Sequence, residues 1–292
     1  EWHLGKRNID HLDKPPQGVF YNRMSASSHT RGHRYAPEYT AVVLNWLEKN
    51  KRRVINNSRA LNLEVSKSLQ YKELESFGIK TPKTIYCNNK ESIIKSANIF
   101  PKPFITKHNR GGKGLGVKLF NNKKELDSHV SSKDFEPSID GITLLQDYIE
   151  ATPKVITRVE FVNSELLYAV EVDASDGFEL CPACPEDLID VPETQFFGEY
   201  CPTIGNKFRI IKNFKRNEIV KKYEKFIKAN GIEIAGIEYI VDKKGMIYTY
   251  DVNTNTNYNS QAERNSKTKG MKSIAEFLKN ELLSLSNIKV VA

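Results

Sequence analysis

The segment covering residues 101–122, PKPFITKHNRGGKGLGVKLFNN, restricts the fold of this chain more than any other. Two short apolar runs, 103–107 and 116–120, flank a basic loop that carries Gly111, Gly112, Gly114 and Gly116. Runs of this length around a glycine cluster predict a β-hairpin, not a strand leading into a helix. That excludes the Walker loop, which needs GxxxxGK[ST] followed by a helix, and the dinucleotide fingerprint for the same reason. Glycine lets backbone N–H groups approach an oligophosphate with no Cβ in the way. Lys107, Arg110 and Lys113 add positive charge. The segment reads as a flexible lid over nucleotide phosphates, with a plain mobile turn as the competing reading.

A second hairpin, GIEYIVDKKGMIYTYDVNTN, carries the acids that would give such a lid a purpose. With Lys243-Lys244 as a two-residue turn, Asp242 pairs with Gly245 and Glu238 faces Thr249. Asp251 is then the diagonal neighbour of Glu238 on one face. Asn253 shares that face because strand side chains repeat every two residues. Two carboxylates and an amide oxygen so placed suit Mg²⁺, a hard cation that keeps room for phosphate oxygens and water. One more residue in the turn would send Glu238 to the other face. The competing reading is a solvated acidic strand face.

The remaining composition sets bounds. A chain of 292 residues has length for two domains or one large composite. No apolar run approaches the ~20 residues of a membrane span. The net charge of +8 suits anionic ligands, nucleic acid among them. The basic residues, however, alternate with apolar positions in helices such as 215–228, as on a solvated face. Cys87, Cys181, Cys184 and Cys201 are too few for a disulfide framework, and a zinc site built on Cys181, Cys184 and Cys201 lacks a fourth ligand. A reducing cytoplasm is therefore expected. The chain opens at Glu1, so residues can be missing before it.

Along the chain, a strand at 19–22 leads into a polar loop with Arg23, His29, Arg31, His33 and Arg34, a candidate surface for an acidic substrate. Helices are predicted at 36–50 (apolar face Tyr39, Val42, Val43, Trp46, Leu47), 64–77 (Val65, Leu69, Phe77), 91–97, 125–130, 216–230 and 271–285 (Ile274, Phe277, Leu278, Leu282). Strands are predicted at 54–55, 83–87, 142–149, 155–162, 166–172, 234–241 and 246–252. Residues 181–206, with several prolines, read as an ordered loop over a site.

Taken in order, SKSLQYKELESFGIKTPKT, PFITKHNRGGKGLGV, LLQDYIE, ITRVEFV, GIEYI and YDVNTN resemble the motifs of the ATP-grasp carboxylate–amine ligases. Ribosomal-protein glutamate ligases and glutathione synthetases are the most similar members. The resemblance runs from about Ser66 to Asn255. It implies an α+β ATP-grasp fold, two subdomains clamping ATP, behind a short N-terminal α/β domain. The divisions would be 1–65, a central 66–148 with the lid, and a C-terminal 149–292 with the metal-binding sheet. It further implies that Lys67 and Lys107 bind ATP phosphates under a lid containing Gly111, Gly112, Lys113, Gly114 and Gly116. Gln146, Asp147, Tyr148 and Ile149 would hold adenine, and Glu150 the ribose. Arg158, matching the arginine of a D-I-R motif, would act with Lys107 at the transferring phosphoryl group. Glu238, Asp251 and Asn253 would bind Mg²⁺, or Mn²⁺ in its place.

This sequence departs from the family at Ile156, where D-I-R has its acid, and at Asp251, where glutamate is usual. It departs again at Thr254-Asn255-Thr256-Asn257, where a Pro-Gly turn often stands near the substrate. Arg23, Arg31, Asn255 and Asn257 are the candidate substrate residues. The implied partners are a small-molecule or peptide carboxylate and an amine acceptor, with no membrane and no nucleic acid expected and a homo-oligomer left open. A small-molecule kinase, a basic nucleic-acid-binding protein and an inactive nucleotide-binding scaffold are the alternatives. The last sits poorly with Lys67, Lys107, Glu238, Asp251 and Asn253 all present.

Overall fold

The computed structural model describes residues 2–6, 8–112, 114–175, 208–264 and 266–288. Lys113, Cys181, Cys184 and Cys201, and the loop predicted at 181–206, lie outside them. The chain begins with β1 (Val19–Tyr21), α1 (Ala36–Lys49) and β2 (Arg53–Ile55), then α2 (Ser58–Glu64) and α3 (Lys67–Ser76). β3 (Thr84–Cys87), α4 (Lys90–Ser96), β4 (Phe104–His108), β5 (Lys118–Phe120), α5 (Lys123–Ser131) and β6 (Thr143–Asp147) follow. The last part holds β7 (Val155–Val162), β8 (Glu165–Asp173), β9 (Phe208–Ile210), α6 (Glu218–Ala229), β10 (Ile234–Val241), β11 (Ile247–Asn253), α7 (Ser260–Glu263) and α8 (Gly270–Ile288).

These strands make three sheets. β1 and β2 pair in parallel. A four-stranded antiparallel sheet has the order β3-β6-β4-β5. A five-stranded antiparallel sheet has the order β11-β10-β7-β8-β9. The glycine segment is the predicted hairpin, with Phe104 opposite Phe120 and Thr106 opposite Lys118. Its sheet is covered by α4 and α5, whose Ile93, Leu126 and Val130 bury against Phe104, Phe120 and Leu145.

The five-stranded sheet has two unlike faces. Val159 and Phe161 of β7 and Ala235 and Ile237 of β10 point to one side, where Val220, Tyr223, Phe226 and Ile227 of α6 cover them. Strong helical periodicity in α6, and the alternation of Val159 and Phe161 with Arg158 and Glu160 in β7, make this packing readable in advance. The other face carries Arg158, Glu160, Glu238, Asp251 and Asn253. Each of these is one residue out of step with the core positions.

Two helices differ from expectation for a physical reason. The helix predicted at 64–77 is split in two, because Ser66 is extended and its side chain accepts from Leu69 N, capping a new helix. α3 then buries Lys67, Gln70, Tyr71 and Leu74, while Leu69 is 52% exposed. Its inward face is largely polar because it lines a site, so apolar periodicity points the wrong way. In α1 the buried residues are Thr40, Val43, Leu44 and Leu47, and the predicted Val42 faces out. Leu282 of α8 is also exposed, whereas Ile274, Phe277 and Leu278 pack on Ile55, Val162 and Ile234.

Candidate active site

The second hairpin does not have the two-residue turn. Asp242 N donates to Met246 O at 3.0 Å, so Lys243 to Gly245 form a three-residue loop, with Gly245 at φ +76°. Continued regularly, that register would place Glu238 and Asp251 on opposite faces. A β-bulge corrects it: Tyr239 pairs with Thr249, yet Glu238 pairs with Asp251. Tyr250 is the extra residue. Thr249 faces the core, where its hydroxyl lies 2.6 Å from that of Tyr223. Tyr250 and Asp251 both turn to the opposite side.

Across the sheet, Arg158 of β7 lies beside Glu238, which lies beside Asp251. In the next row Glu160, Gly236 and Asn253 align. The Asn253 amide is 3.4 Å from Glu238 Oε1 and 3.5 Å from Asp251 Oδ2. The three predicted metal donors therefore converge. Each acid also meets a cation. Lys67 Nζ donates to Asp251 Oδ1 at 2.7 Å, and Arg158 Nη1 to Glu238 Oε1 at 2.8 Å. Tyr250 donates its hydroxyl to Glu238 Oε2 at 3.0 Å.

Arg158 is held on three sides. Nε donates to Glu160 Oε1 at 2.5 Å and Nη2 to Thr256 Oγ1 at 2.6 Å. Thr256 in turn donates to Glu160 Oε2 at 2.7 Å. The guanidinium lies over Gly236, where an added Cβ would meet Nη2 at 2.6 Å. Burial opposes the charge on Arg158, but Glu160 and Glu238 outweigh it and hold the group more firmly protonated than an ordinary arginine. Burial raises the Glu160 carboxyl against the pull of Arg158.

The glycine hairpin meets this sheet through α3. Asn109 O accepts from Lys67 N at 3.3 Å, and Asn109 Oδ1 from Ser68 N at 2.8 Å, so the loop's first residue supplies acceptors to the helix N-terminus. Gln70 clamps β11 by donating to Val252 O and accepting from Val252 N. Lys107 Nζ donates to Tyr250 O at 3.3 Å and Tyr71 at 3.4 Å, and lies 5.0 Å from the Tyr250 ring centre. Burial pulls the Lys107 amine down, against the attraction of Asp251 and Glu238. Burial also pushes the Asp251 carboxyl up, but Lys67 and Lys107 prevail and hold it below the ordinary aspartate range.

Beside Lys107 opens a cavity of about 270 Å³ lined by Gln146, Asp147, Tyr148, Ile149 and Glu150 from the end of β6. Ile105, Val117, Leu119, Ile156 and Ile240 give it apolar walls. Ile156, where the D-I-R acid would stand, is thus a wall residue. Gln146 turns its amide to Thr84 at 2.8 Å. Asp147 Oδ1 is buried with no protein partner, and burial raises its carboxyl against Lys83. Gly114 and Gly116 have positive φ, and a Cβ on Gly116 would enter the His108 ring at 2.0 Å. Gly111 packs on Leu115 and His108, and Gly112 lies beside Ser27.

Of the candidate substrate residues, Arg23 joins Asn255 and Asn257, through contacts of 3.2 and 2.9 Å. Arg31 is not brought to them; its Nη1 donates to Ser27 Oγ at 3.3 Å. Sequence reasoning missed Tyr71, Tyr250, Glu160 and Thr256. Glu160 had a signal: an acid two residues after Arg158 in a strand shares its face. Tyr250 had none, since only the bulge turns it inward.

Among the described residues no three His, Cys, Asp or Glu side chains group to hold a metal. The donor set is two carboxylates and one amide. That suits a hard divalent cation such as Mg²⁺ with phosphate oxygens and water completing its shell, and not zinc.

Two antiparallel sheets that both line a lysine-flanked cavity beside an oxygen-donor cluster are the ATP-grasp fold, and solved structures share it. The RimK domain ATP-grasp protein from Sphaerobacter thermophilus DSM 20745 superposes with TM-score 0.62 at 14% identity, covering 94% of this chain and 86% of that one. A second is the Chryseobacterium gregarium RiPP-associated ATP-grasp ligase, solved in complex with ADP and a leader and core peptide. It gives TM-score 0.58 at 16% identity over 90% and 77%. N5-carboxyaminoimidazole synthetase from Staphylococcus aureus, complexed with ADP, gives 0.56 at 13% over 89% and 60%. Residues 64–179 match the family model described as the RimK-like ATP-grasp domain. Comparison with curated protein sequences returned no match. Among the described residues no helix is long and apolar enough to cross a membrane.

Proposed function

We propose that this chain is an ATP-dependent ligase that joins a carboxylate to an amine through an acylphosphate. The observation that carries the reading is the contact between the two hairpins. Lys67 and Lys107, on the lid side, lie against Asp251 and Tyr250 on the donor-bearing strand. A triphosphate with its base in the cavity beside Lys107 would extend toward Glu238, Asp251 and Asn253. The division of labour follows: 66–148 supplies the lid and lysines, 149–292 the donors and Arg158, and 1–65 part of the substrate wall.

In the reaction, a carboxylate oxygen attacks the γ-phosphorus of ATP and the bond to ADP breaks. The amine nitrogen then attacks the acyl carbon, phosphate leaves, and the nitrogen gives up its proton. Glu238, Asp251 and Asn253 would hold Mg²⁺, which would supply Lewis-acid neutralisation of phosphate charge. Lys67 and Lys107 would offset charge on the phosphate oxygens. Arg158, fixed by Glu160 and Thr256, offers preorganised donors to oxygens where charge develops. The glycine hairpin would exclude water that competes with the amine.

The test is ADP release against pooled amino acids and carboxylic acids with Mg²⁺. ADP release that needs both a carboxylate and an amine is expected, with Asp251→Asn at least 100-fold slower. Release independent of any amine would support a kinase instead, and an undiminished Asp251→Asn would overturn the metal assignment.

A further inference from the structure

Tyr250 is the residue that the β-bulge adds to the donor face, and three parts of the site meet at it. Its carbonyl accepts from Lys107 Nζ at 3.3 Å and from the Tyr71 hydroxyl at 2.9 Å. Its ring forms part of the cavity wall, with its centre 5.0 Å from Lys107 Nζ. Its hydroxyl lies 3.0 Å from Glu238 Oε2. A wall needs no hydroxyl, and Ile156 and Ile240 line the same cavity without one. A phenol is protonated at neutral pH and a carboxylate can only accept, so Tyr250 is the donor in this bond.

The direction of that bond gives it a use. β10, which carries Glu238, lies between β7 and β11. From the β7 side, Arg158 Nη1 draws Glu238 Oε1 at 2.8 Å. Asp251 and Asn253, the other two oxygen donors, stand on the β11 side. Arg158 acting alone would turn the carboxylate toward β7 and away from them. Tyr250, itself on β11, holds the second oxygen and fixes the plane of the carboxylate, with Oε1 3.4 Å from the Asn253 amide. The contacts of the Tyr250 carbonyl with Lys107 and Tyr71 anchor the bulge from which the hydroxyl reaches.

We propose that Tyr250 is a positioning residue for the metal: its hydroxyl aims the Glu238 carboxylate at the cation that Asp251 and Asn253 share, and is not itself a ligand. Removing a partner that orients a metal ligand typically weakens metal binding 10–100-fold. This rests on the metal assignment of the ligase reading, and the measurement separates the two.

The full chain, in excess over AMPPNP, is titrated with Mn²⁺, and the free ion is read by electron paramagnetic resonance. Tyr250→Phe keeps the ring in the cavity and beside Lys107, so its Kd for AMPPNP in EDTA, measured by calorimetry, stays within twofold of wild type. Its Kd for Mn²⁺ rises about tenfold. Tyr239→Phe removes a hydroxyl that bonds Thr157 on the opposite, core face, and its Kd for Mn²⁺ stays within twofold. Because Tyr250 acts through Glu238, adding Tyr250→Phe to Glu238→Ala weakens Mn²⁺ binding no further. A Kd for Mn²⁺ within twofold of wild type in Tyr250→Phe, whatever its Tm, overturns the positioning role and leaves the ligase reading standing. So does an equal loss with and without Glu238, or a parallel loss of AMPPNP binding in EDTA, which would make Tyr250 a wall residue only. Undiminished Mn²⁺ binding by Glu238→Ala overturns the metal assignment, and this inference with it.

Discussion

Asp251→Asn probes the contact on which the site is built. Asp251 accepts from Lys67 at 2.7 Å, and side-chain exposures of 6% for Lys67 and 15% for Asp251 leave little solvent to screen the pair. Lys107 stands near the same carboxylate. The substitution keeps the shape but leaves two buried ammonium groups, of which Lys107 keeps Glu238 as a nearby acid. Breaking a buried pair by neutralising one partner costs about 3–5 kcal/mol. At the roughly 2–4 °C per kcal/mol of a chain this size, the apparent Tm at pH 7 falls by about 6–20 °C. Removing the stranded charge as well, in Asp251→Asn with Lys67→Met, recovers part of the loss, a coupling of about 1–3 kcal/mol.

The pH dependence has a definite sign. The carboxyl is held below its ordinary value in the fold, so its stabilisation is complete above the unfolded pKa of about 3.9. It is lost as pH falls through the lowered folded value. The stability gap between wild type and Asp251→Asn therefore narrows on acidification below about pH 4. Scanning fluorimetry of wild type, Asp251→Asn, Lys67→Met and the double variant from pH 3 to 8 measures this. A Tm change under about 2 °C at pH 7, or strict additivity of the double variant, would refute the argument.

Three other outcomes are expected. Burial lowers the Lys107 amine, so ADP release falls on the alkaline side before the ordinary lysine value of about 10.4, and Lys107→Arg moves that limb upward at a reduced maximum. Gly116→Ala, which drives a Cβ into His108 at φ +69°, weakens AMPPNP binding at least tenfold. Gly141→Ala, at φ +76° with open space around it, costs only about 1 kcal/mol of stability and leaves that Kd alone. Glu160→Gln lowers kcat at least tenfold with the KM for ATP within twofold, because it loosens Arg158 without touching the cavity, as steady-state kinetics would show.

Most elements were legible in the chain, and the reason is local. β7 and β10 have the predicted bounds because each is an eight-residue run rich in apolar and β-branched residues that ends at a turn, Asn163-Ser164 for β7 and Asp242 to Gly245 for β10. The glycine hairpin follows from two apolar runs and the residues between them. The ordered motifs from Ser66 to Asn255 also pointed to the fold class, which a solved structure only 14% identical shares.

Which face each group presents was decided only in three dimensions. The acids of the second hairpin share a side because a bulge at Tyr250 cancels the extra residue in the turn. Each is a one-residue shift that reverses a strand's faces, and only their sum is right. α3 turns Lys67 and Gln70 inward because partners 184 and 182 residues away satisfy them. No window of sequence holds such partners. A buried polar group is stable only when its partner arrives, and that arrival belongs to the tertiary fold.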